Sequence, residues 1–143
     1  MNSIKRKDIT TGIIKEKMGL PVFEQYFNTK LIMTSEYNTF DYINDDNNIY
    51  IELKNRNNNY SKYPTTMVSY SKIKKGYELL KKNNKIYYCF NFKDGLYYYQ
   101  QTEQTPNEIE IGRGGRKDRG RYEYNTYAYI PIKLLKCIKN ESL

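Results

Sequence analysis

Apolar positions change their spacing several times along this chain, and each change marks an element. From Ser3 to Met18 the residues Ile9, Ile13, Ile14 and Met18 recur at the spacing of one helix face. Gly19 and Pro21 then interrupt the pattern: glycine suits a C-terminal helix cap, and proline suits the first turn of a new helix. A short second helix through Val22, Phe23, Tyr26 and Phe27 follows. Thr29–Ser35 reads either as a strand or as a connector.

The spacing shifts to two in Thr39–Arg56, where alternating runs flank an Asp/Asn cluster, the signature of a strand–turn–strand hairpin. If the loop is Asp45–Asn48, Asn44 pairs with Ile49, and Asp41 lies opposite Glu52. Residues i and i+2 of a strand share a face, so Asp41, Glu52 and Lys54 then project together. Phe40, Tyr42, Ile51 and Leu53 point the other way. A five-residue loop would instead set Asp41 against Ile51 and disperse the cluster.

Beyond Lys54 a polar stretch runs to about Met67. A helix follows, capped by Ser69 or Ser71, with an apolar stripe at Tyr70, Ile73, Tyr77 and Leu80. Lys72, Gly76 and Leu79 form a neighbouring stripe at its edge. Ile86–Phe92 is almost continuously apolar, as in a strand buried on both faces. Asp94-Gly95 marks a two-residue hairpin into Leu96–Gln100. The intervening helix makes the strands ending at Lys54 and beginning at Ile86 parallel. Glu108–Ile111 is an edge-strand candidate and Gly112–Arg121 a basic glycine-rich loop. Tyr122–Ile130 alternates like a strand, and Pro131 opens a short helix carrying Leu134, Leu135 and Ile138. The whole is one α/β domain over residues 1–143, with its core at about 10–138.

Composition narrows the chemistry. With 143 residues and a net charge of +8, the chain favours a polyanionic partner, nucleic acid or anionic lipid. There is no histidine, so Ser–His and Cys–His nucleophile pairs are excluded, and Cys89 and Cys137 lack metal-type spacing. No apolar run reaches about 18 residues, which predicts no membrane span. The expectation is an intracellular protein with reduced thiols.

Carboxylate, lysine and metal chemistry remain. An acid-x-Lys tripeptide such as Glu52-Leu53-Lys54 arises readily by chance, and a solvent-facing strand with a cross-strand ion pair would read the same. Its setting adds weight, because a hairpin sets a second acid beside it. Mg²⁺ or Mn²⁺ takes hard oxygen ligands, typically one or two carboxylates with waters and phosphate oxygens. Asp41 and Glu52 supply such carboxylates, and Lys54 is placed to orient or deprotonate water and to stabilise phosphate charge.

Asp41, then Glu52-x-Lys54 on a hairpin, a helix and a buried strand resemble the core of PD-(D/E)XK nucleases. The run from Gly12 to Ile138 is similar to small nuclease-like proteins of large DNA viruses and phages. It shares Leu20-Pro21, Phe40-Asp41-Tyr42, Glu52-Leu53-Lys54-Asn55-Arg56, Tyr63-Pro64-Thr65-Thr66 and Tyr129-Ile130-Pro131-Ile132 with them. The resemblance implies a restriction-endonuclease-like mixed central sheet flanked by helices, and Mg²⁺- or Mn²⁺-dependent hydrolysis of DNA. It also implies a location in host cytoplasm, nucleus or virion, and it allows a homodimer. Gly12-x-x-x-Glu16 matches an upstream helix motif, making Glu16 an accessory metal or water ligand, with Glu24 as its competitor. Lys72 falls where members often carry a helical Gln or Lys. Asp41 follows Phe40 where the motif has proline, a tolerated departure.

A second constellation, Arg113, Arg116, Lys117, Arg119 and Arg121 between glycines, suits phosphate contact, as does a solvated hairpin tip. Arg56, Lys62 and Lys72 are further nucleic-acid candidates, with Tyr60 and Tyr63 beside the same groove. The alternative function is a catalytically inactive nucleic-acid-binding or structural protein that keeps the fold.

Overall fold

The computed structural model describes residues 3–35, 39–116 and 123–143, with the backbone alone at 3–11, 115–116 and 123–125. The hairpin is β2 (Tyr42–Asn44) and β3 (Ile49–Asn55), joined by the four residues 45–48. Tyr42 pairs with Ile51 and Ile43 with Tyr50, which is the four-residue-loop register. Asn44 sets it, its Oδ1 accepting from the backbone N–H of Asn48 at 2.8 Å and of Ile49 at 2.9 Å. Asn47 takes the left-handed turn position at φ 55°.

The ladder ends at Tyr42, and there the expected facing fails in one respect. Residues 39–41 bend, with Thr34 N–H bonded to the Asp41 carbonyl at 2.9 Å and Thr34 Oγ1 bonded to the Phe40 carbonyl. Phe40 therefore turns to the face opposite Tyr42 and Leu53 and packs on Tyr50 and Tyr88.

β1 (Leu31–Met33) extends the hairpin antiparallel to β2, so the ambiguous stretch before the hairpin contains a strand. β4 (Thr65–Ser69) and α2 (Tyr70–Leu80) lead to β5 (Lys85–Phe92), which lies parallel to β3 with Glu52 beside Tyr88. β6 (Gly95–Gln100) returns antiparallel, with Phe92 paired to Gly95, so the two turn residues are Lys93-Asp94, one position before the expected Asp94-Gly95, and Gly95 belongs to the strand. The resulting six-stranded mixed sheet has the order β1-β2-β3-β5-β6-β9, with β9 at Lys136–Lys139.

One face of this sheet buries Phe23, Tyr42, Ile51, Leu53, Tyr87 and Cys89 under helix α1 (Ser3–Phe27). The other buries Phe40, Ile86, Tyr88, Phe90 and Phe92 under α2 and a second sheet. α1 is one helix, not two. Pro21 forfeits a backbone bond inside it, at a penalty of about 3 kcal/mol. Phe23, fully buried edge-on against Tyr42 and worth about 1.5–3 kcal/mol, and the partly buried Phe27, its ring 4.3 Å from that of Tyr87, offset that. Gly19 is not a cap; a Cβ there would come within 2.9 Å of the Tyr42 hydroxyl, so glycine permits close docking. The helix ends at Asn28, whose φ of 51° suits the left-handed terminating position.

Four further expectations need correction. The segment around Met67 is strand β4, which pairs with β8 (Glu123–Pro131), itself paired with β7 (Glu110–Arg116), giving the sheet β4-β8-β7. Gly112–Arg116 is thus a strand and not a loop; Gly114 leaves room for the rings of Tyr127 and Tyr129. Pro131 closes β8, a single 3₁₀ turn follows at Ile132–Leu134, and Ile138 lies in β9. Ser69 precedes α2 without a side-chain cap bond; its hydroxyl meets that of Ser71 at 2.7 Å.

Helix α2 meets the sheet at Gly76. A Cβ there would lie 2.1 Å from Gln101 Oε1, and Gln101 is itself held by the Tyr88 hydroxyl at 2.6 Å and the Ile73 carbonyl at 2.9 Å. Alanine is the better helix former by about 1 kcal/mol. Displacing a buried, doubly bonded amide costs about 1–3 kcal/mol per lost partner. Gly76→Ala is therefore expected to lower urea-unfolding stability by about 1–2 kcal/mol; an increase would contradict this packing account.

Candidate active site

Glu52 stands at the centre. It lies mid-β3, on the face shared with Tyr50, and is 1 % exposed. A carboxylate this deep needs counter-charge. The Lys72 ammonium from α2 bonds Oε2, and Lys54, two residues along the same strand face, sits 3.3 Å from the same oxygen. Oε1 is buried and has no hydrogen-bond partner.

Asp41 stands where β2 breaks off. Its Oδ2 accepts from the Leu53 N–H at 2.8 Å, replacing a ladder bond with a side-chain bond. The hairpin register holds at Tyr42 and Ile43, and the ladder stops before the expected Asp41–Glu52 pair. From the opposite face, α1 brings Glu16 to Asp41. Gly19 allows the helix close to the sheet, and the Tyr42 hydroxyl bonds the Glu16 carbonyl at 2.6 Å. Glu24, the other accessory candidate, instead accepts from the Leu31 N–H at 3.0 Å at the far end of α1.

These placements perturb the charges. Burial first, then the charge of Asp41 and a hydrogen bond to it, raises Glu16 from the usual carboxylate value to about 7, against an opposing pull from Lys72. Burial, assisted by the neighbouring Arg56, holds the Lys54 ammonium below the usual lysine range, with Asp41 and Tyr127 opposing. Burial likewise lowers Lys72, against Asp41 and Glu16. The Tyr42 phenol is raised by burial, then by Asp41 and Glu16.

Among the described residues, no three acidic, cysteine or histidine side chains form a ready metal cage. The donor set nevertheless suits a hard divalent cation. Glu16 and Asp41 share one hydrogen-bonded contact in which the protonated form is favoured, and Glu52 keeps one buried oxygen unpaired. A cation needing one or two carboxylates would relieve the first strain and satisfy the second.

The proposed nucleic-acid contacts are less gathered. Arg56 ties the two sheets together, its Nε bonding Thr66 Oγ1 at 3.2 Å and its Nη2 the Met67 carbonyl at 2.5 Å, with the guanidinium over Phe90. Lys62 is exposed on the following loop, its ammonium 5.5 Å from the Tyr63 ring. Arg113 is exposed on β7, its carbonyl accepting from the Tyr129 hydroxyl at 3.3 Å. Arg116 ends β7 and is described as backbone alone; Lys117, Arg119 and Arg121 lie outside the described residues. The residues that sequence reasoning missed are the positioning ones: Tyr42 for Glu16, and Tyr88 with Gln101 for α2 and Lys72. Gly19 and Gly76, small residues within helical stripes, were the available signals.

A mixed α/β sheet carrying an acid at a strand break, a buried acid-x-lysine on the next strand and a helical lysine over it has restriction-endonuclease-like architecture. The family described as "Phage putative PDDEXK endonuclease" matches residues 23–138, and the chain belongs to it. That span includes Asp41, Glu52, Lys54 and Lys72 and leaves Glu16 outside. No curated protein and no solved structure matches the chain. Among the described residues no helix is long and apolar enough to cross a membrane.

The raised Glu16 carries a pH signature. A group whose folded pKa lies above its unfolded value contributes stability that is full below about 4.5 and is lost as pH rises through about 7. In metal-free buffer, the stability difference between wild type and Glu16→Gln should therefore shift against the wild type across that window, as read by urea unfolding. A pH-independent difference would remove the Glu16–Asp41 contact from the account.

Proposed function

We propose that this chain is a divalent-metal-dependent nuclease that hydrolyses phosphodiester bonds in DNA, with residues 1–143 acting as one nuclease-like unit. The observation that carries the reading is the buried Glu52, with one oxygen held by two lysines and the other unpaired, beside the Glu16–Asp41 contact. Asp41 and Glu52 are the metal-holding carboxylates and Glu16 the accessory one. Mg²⁺ or Mn²⁺ held there supplies Lewis acidity to the scissile phosphate and a more acidic water.

The chain's own residues do the rest. Lys54, its ammonium destabilised by burial, reaches the neutral amine at lower pH than a surface lysine and accepts a proton from the attacking water. In its charged form it donates to phosphate oxygens as negative charge develops. Lys72 holds the Glu52 carboxylate in orientation through Oε2. Exposed Lys62 and Arg113, with the basic segment carrying Arg116, Lys117, Arg119 and Arg121, supply sequence-independent phosphate attraction.

A second reading has one observation in its favour. The two lysines already neutralise Glu52, so the fold balances that charge as it stands, as a non-catalytic nucleic-acid-binding protein would require. Labelled duplex, single-stranded and branched DNA incubated with Mg²⁺ or Mn²⁺ separates the two. The nuclease reading expects cleavage lost on chelation, and reduced about 10²–10⁴-fold by Lys54→Ala, with Asp41→Ala at least as severe. Equal inertness of wild type and variants on all three substrates, with binding retained, would establish the second reading instead.

A further inference from the structure

Beyond Lys54 the same face of β3 leads into a cleft that the hydrolytic reading leaves unused. Its volume is about 340 Å³, at the small end of ligand-sized pockets. Arg56, Tyr60, Tyr63, Met67, Phe92 and Tyr129 contribute to its walls. Arg56 follows Lys54 by two positions, one residue past the end of β3, about 6.6 Å further along extended backbone. The two side chains are close enough for the Arg56 charge to depress Lys54.

The walls are largely built in advance. The Tyr60 ring stacks on Tyr97 at 4.0 Å and 6°, and its hydroxyl bonds the Ile132 carbonyl at 2.9 Å. Phe92 meets Tyr60 edge-on at 5.8 Å. Arg56 is anchored to Thr66 and Met67, which places a fixed positive charge at the inner wall. Tyr63, by contrast, is 52 % exposed at the rim, with the Lys62 ammonium near its ring. A second small recess lined by Asn57, Asn59, Lys62 and Lys93 adjoins it, extending the polar, basic rim. Aromatic walls with a basic border are the chemistry of a nucleotide and not of an apolar peptide. The volume is ample for one base.

We propose that this cleft is a nucleobase subsite, which receives one unpaired base of the strand whose neighbouring phosphate lies at Asp41, Glu52 and Lys54. The proposal rests on the nuclease reading and adds to it a substrate class: DNA with an unstacked nucleotide beside the scissile bond, whether single-stranded, frayed or flipped out of a duplex. Tyr63, exposed at the rim, is the wall that covers the base, and Lys62 shifts from the tyrosine ring towards the adjacent phosphate.

Binding is measured without cleavage, in Ca²⁺ buffer, by fluorescence anisotropy of a labelled single-stranded oligodeoxynucleotide and of an equal-length strand with abasic sites. Wild type should prefer the base-bearing strand about 10-fold, the size of one base–aromatic stack. Tyr63→Ala should bring the two strands together, while Tyr63→Phe keeps the preference because the ring and not the hydroxyl stacks. A 2-aminopurine in the strand should be quenched by wild type and by Tyr63→Phe, and not by Tyr63→Ala. Thermal melting of the variants checks folding, and the comparison of the two strands with wild type stands even if Tyr63→Ala is lost. An equal preference in wild type and Tyr63→Ala, or equal affinity of wild type for both strands, overturns the subsite and leaves the nuclease reading intact. Absence of binding to either strand also overturns the subsite, whereas the nuclease reading is overturned only by inertness on duplex, single-stranded and branched DNA alike.

Discussion

Putting the Glu52 carboxylate inside the protein is the constraint from which the rest of this site follows. Removing a single carboxylate from water costs several kcal/mol, so a glutamate 1 % exposed on a central strand must be answered locally. Two lysines answer it, one from the same strand face and one from the helix above. The burden then passes to the lysines, whose ammonium groups are themselves pulled out of water and held below their ordinary range. Only one carboxylate oxygen receives this attention. The other is buried without a hydrogen-bond partner, while Asp41 and Glu16 bring further carboxylates together beside Lys72.

Two helices on opposite faces of one sheet deliver groups to this point, and both do so by the same device. Gly19 lets α1 settle onto Tyr42, whose hydroxyl grips the carbonyl of Glu16. Gly76 lets α2 settle onto Gln101, and Tyr88 joins Gln101 in a buried network that also reaches the Lys72 carbonyl at 3.3 Å. A helix held off by an alanine-sized side chain would carry its charged residue outward, and short-range pairing with Glu52 or Asp41 would weaken. Backbone proximity, set by the absence of a methyl group, thus determines electrostatics about one helical turn away from where it acts.

The second sheet completes the setting. Arg56 belongs by sequence to the charged face of β3, yet its guanidinium spans the gap to β4 and lies over Phe90. One arginine therefore joins the sheets and borders the aromatic cleft. Tyr127 on β8 acts on Lys54 from the same side, so the strand pair that carries the basic segment also borders the acid–lysine cluster.

The β2–β3 register, the parallel crossover and the shared strand face of Glu52 and Lys54 were legible in the chain because each rests on local rules of period, loop length and connection; the hairpin after β5 was legible too, but its turn falls one residue earlier than Asp94-Gly95. What local rules could not supply lay in long-range packing. Pro21 reads as a break, and the aromatic contacts of Phe23 and Phe27 override it. Phe40 reads as a partner of Tyr42, and Thr34 turns it to the other face. Met67 reads as loop and Ile138 as helix, because strands that pair with distant partners declare little in their own sequence. The shared face of Glu52 and Lys54 was determined by the sequence. The choice of Glu16 over Glu24 beside Asp41, the double claim of Lys54 and Lys72 on one oxygen, and the structural use of Arg56 belong to the tertiary structure alone, since each depends on how closely a helix or a second sheet approaches β3.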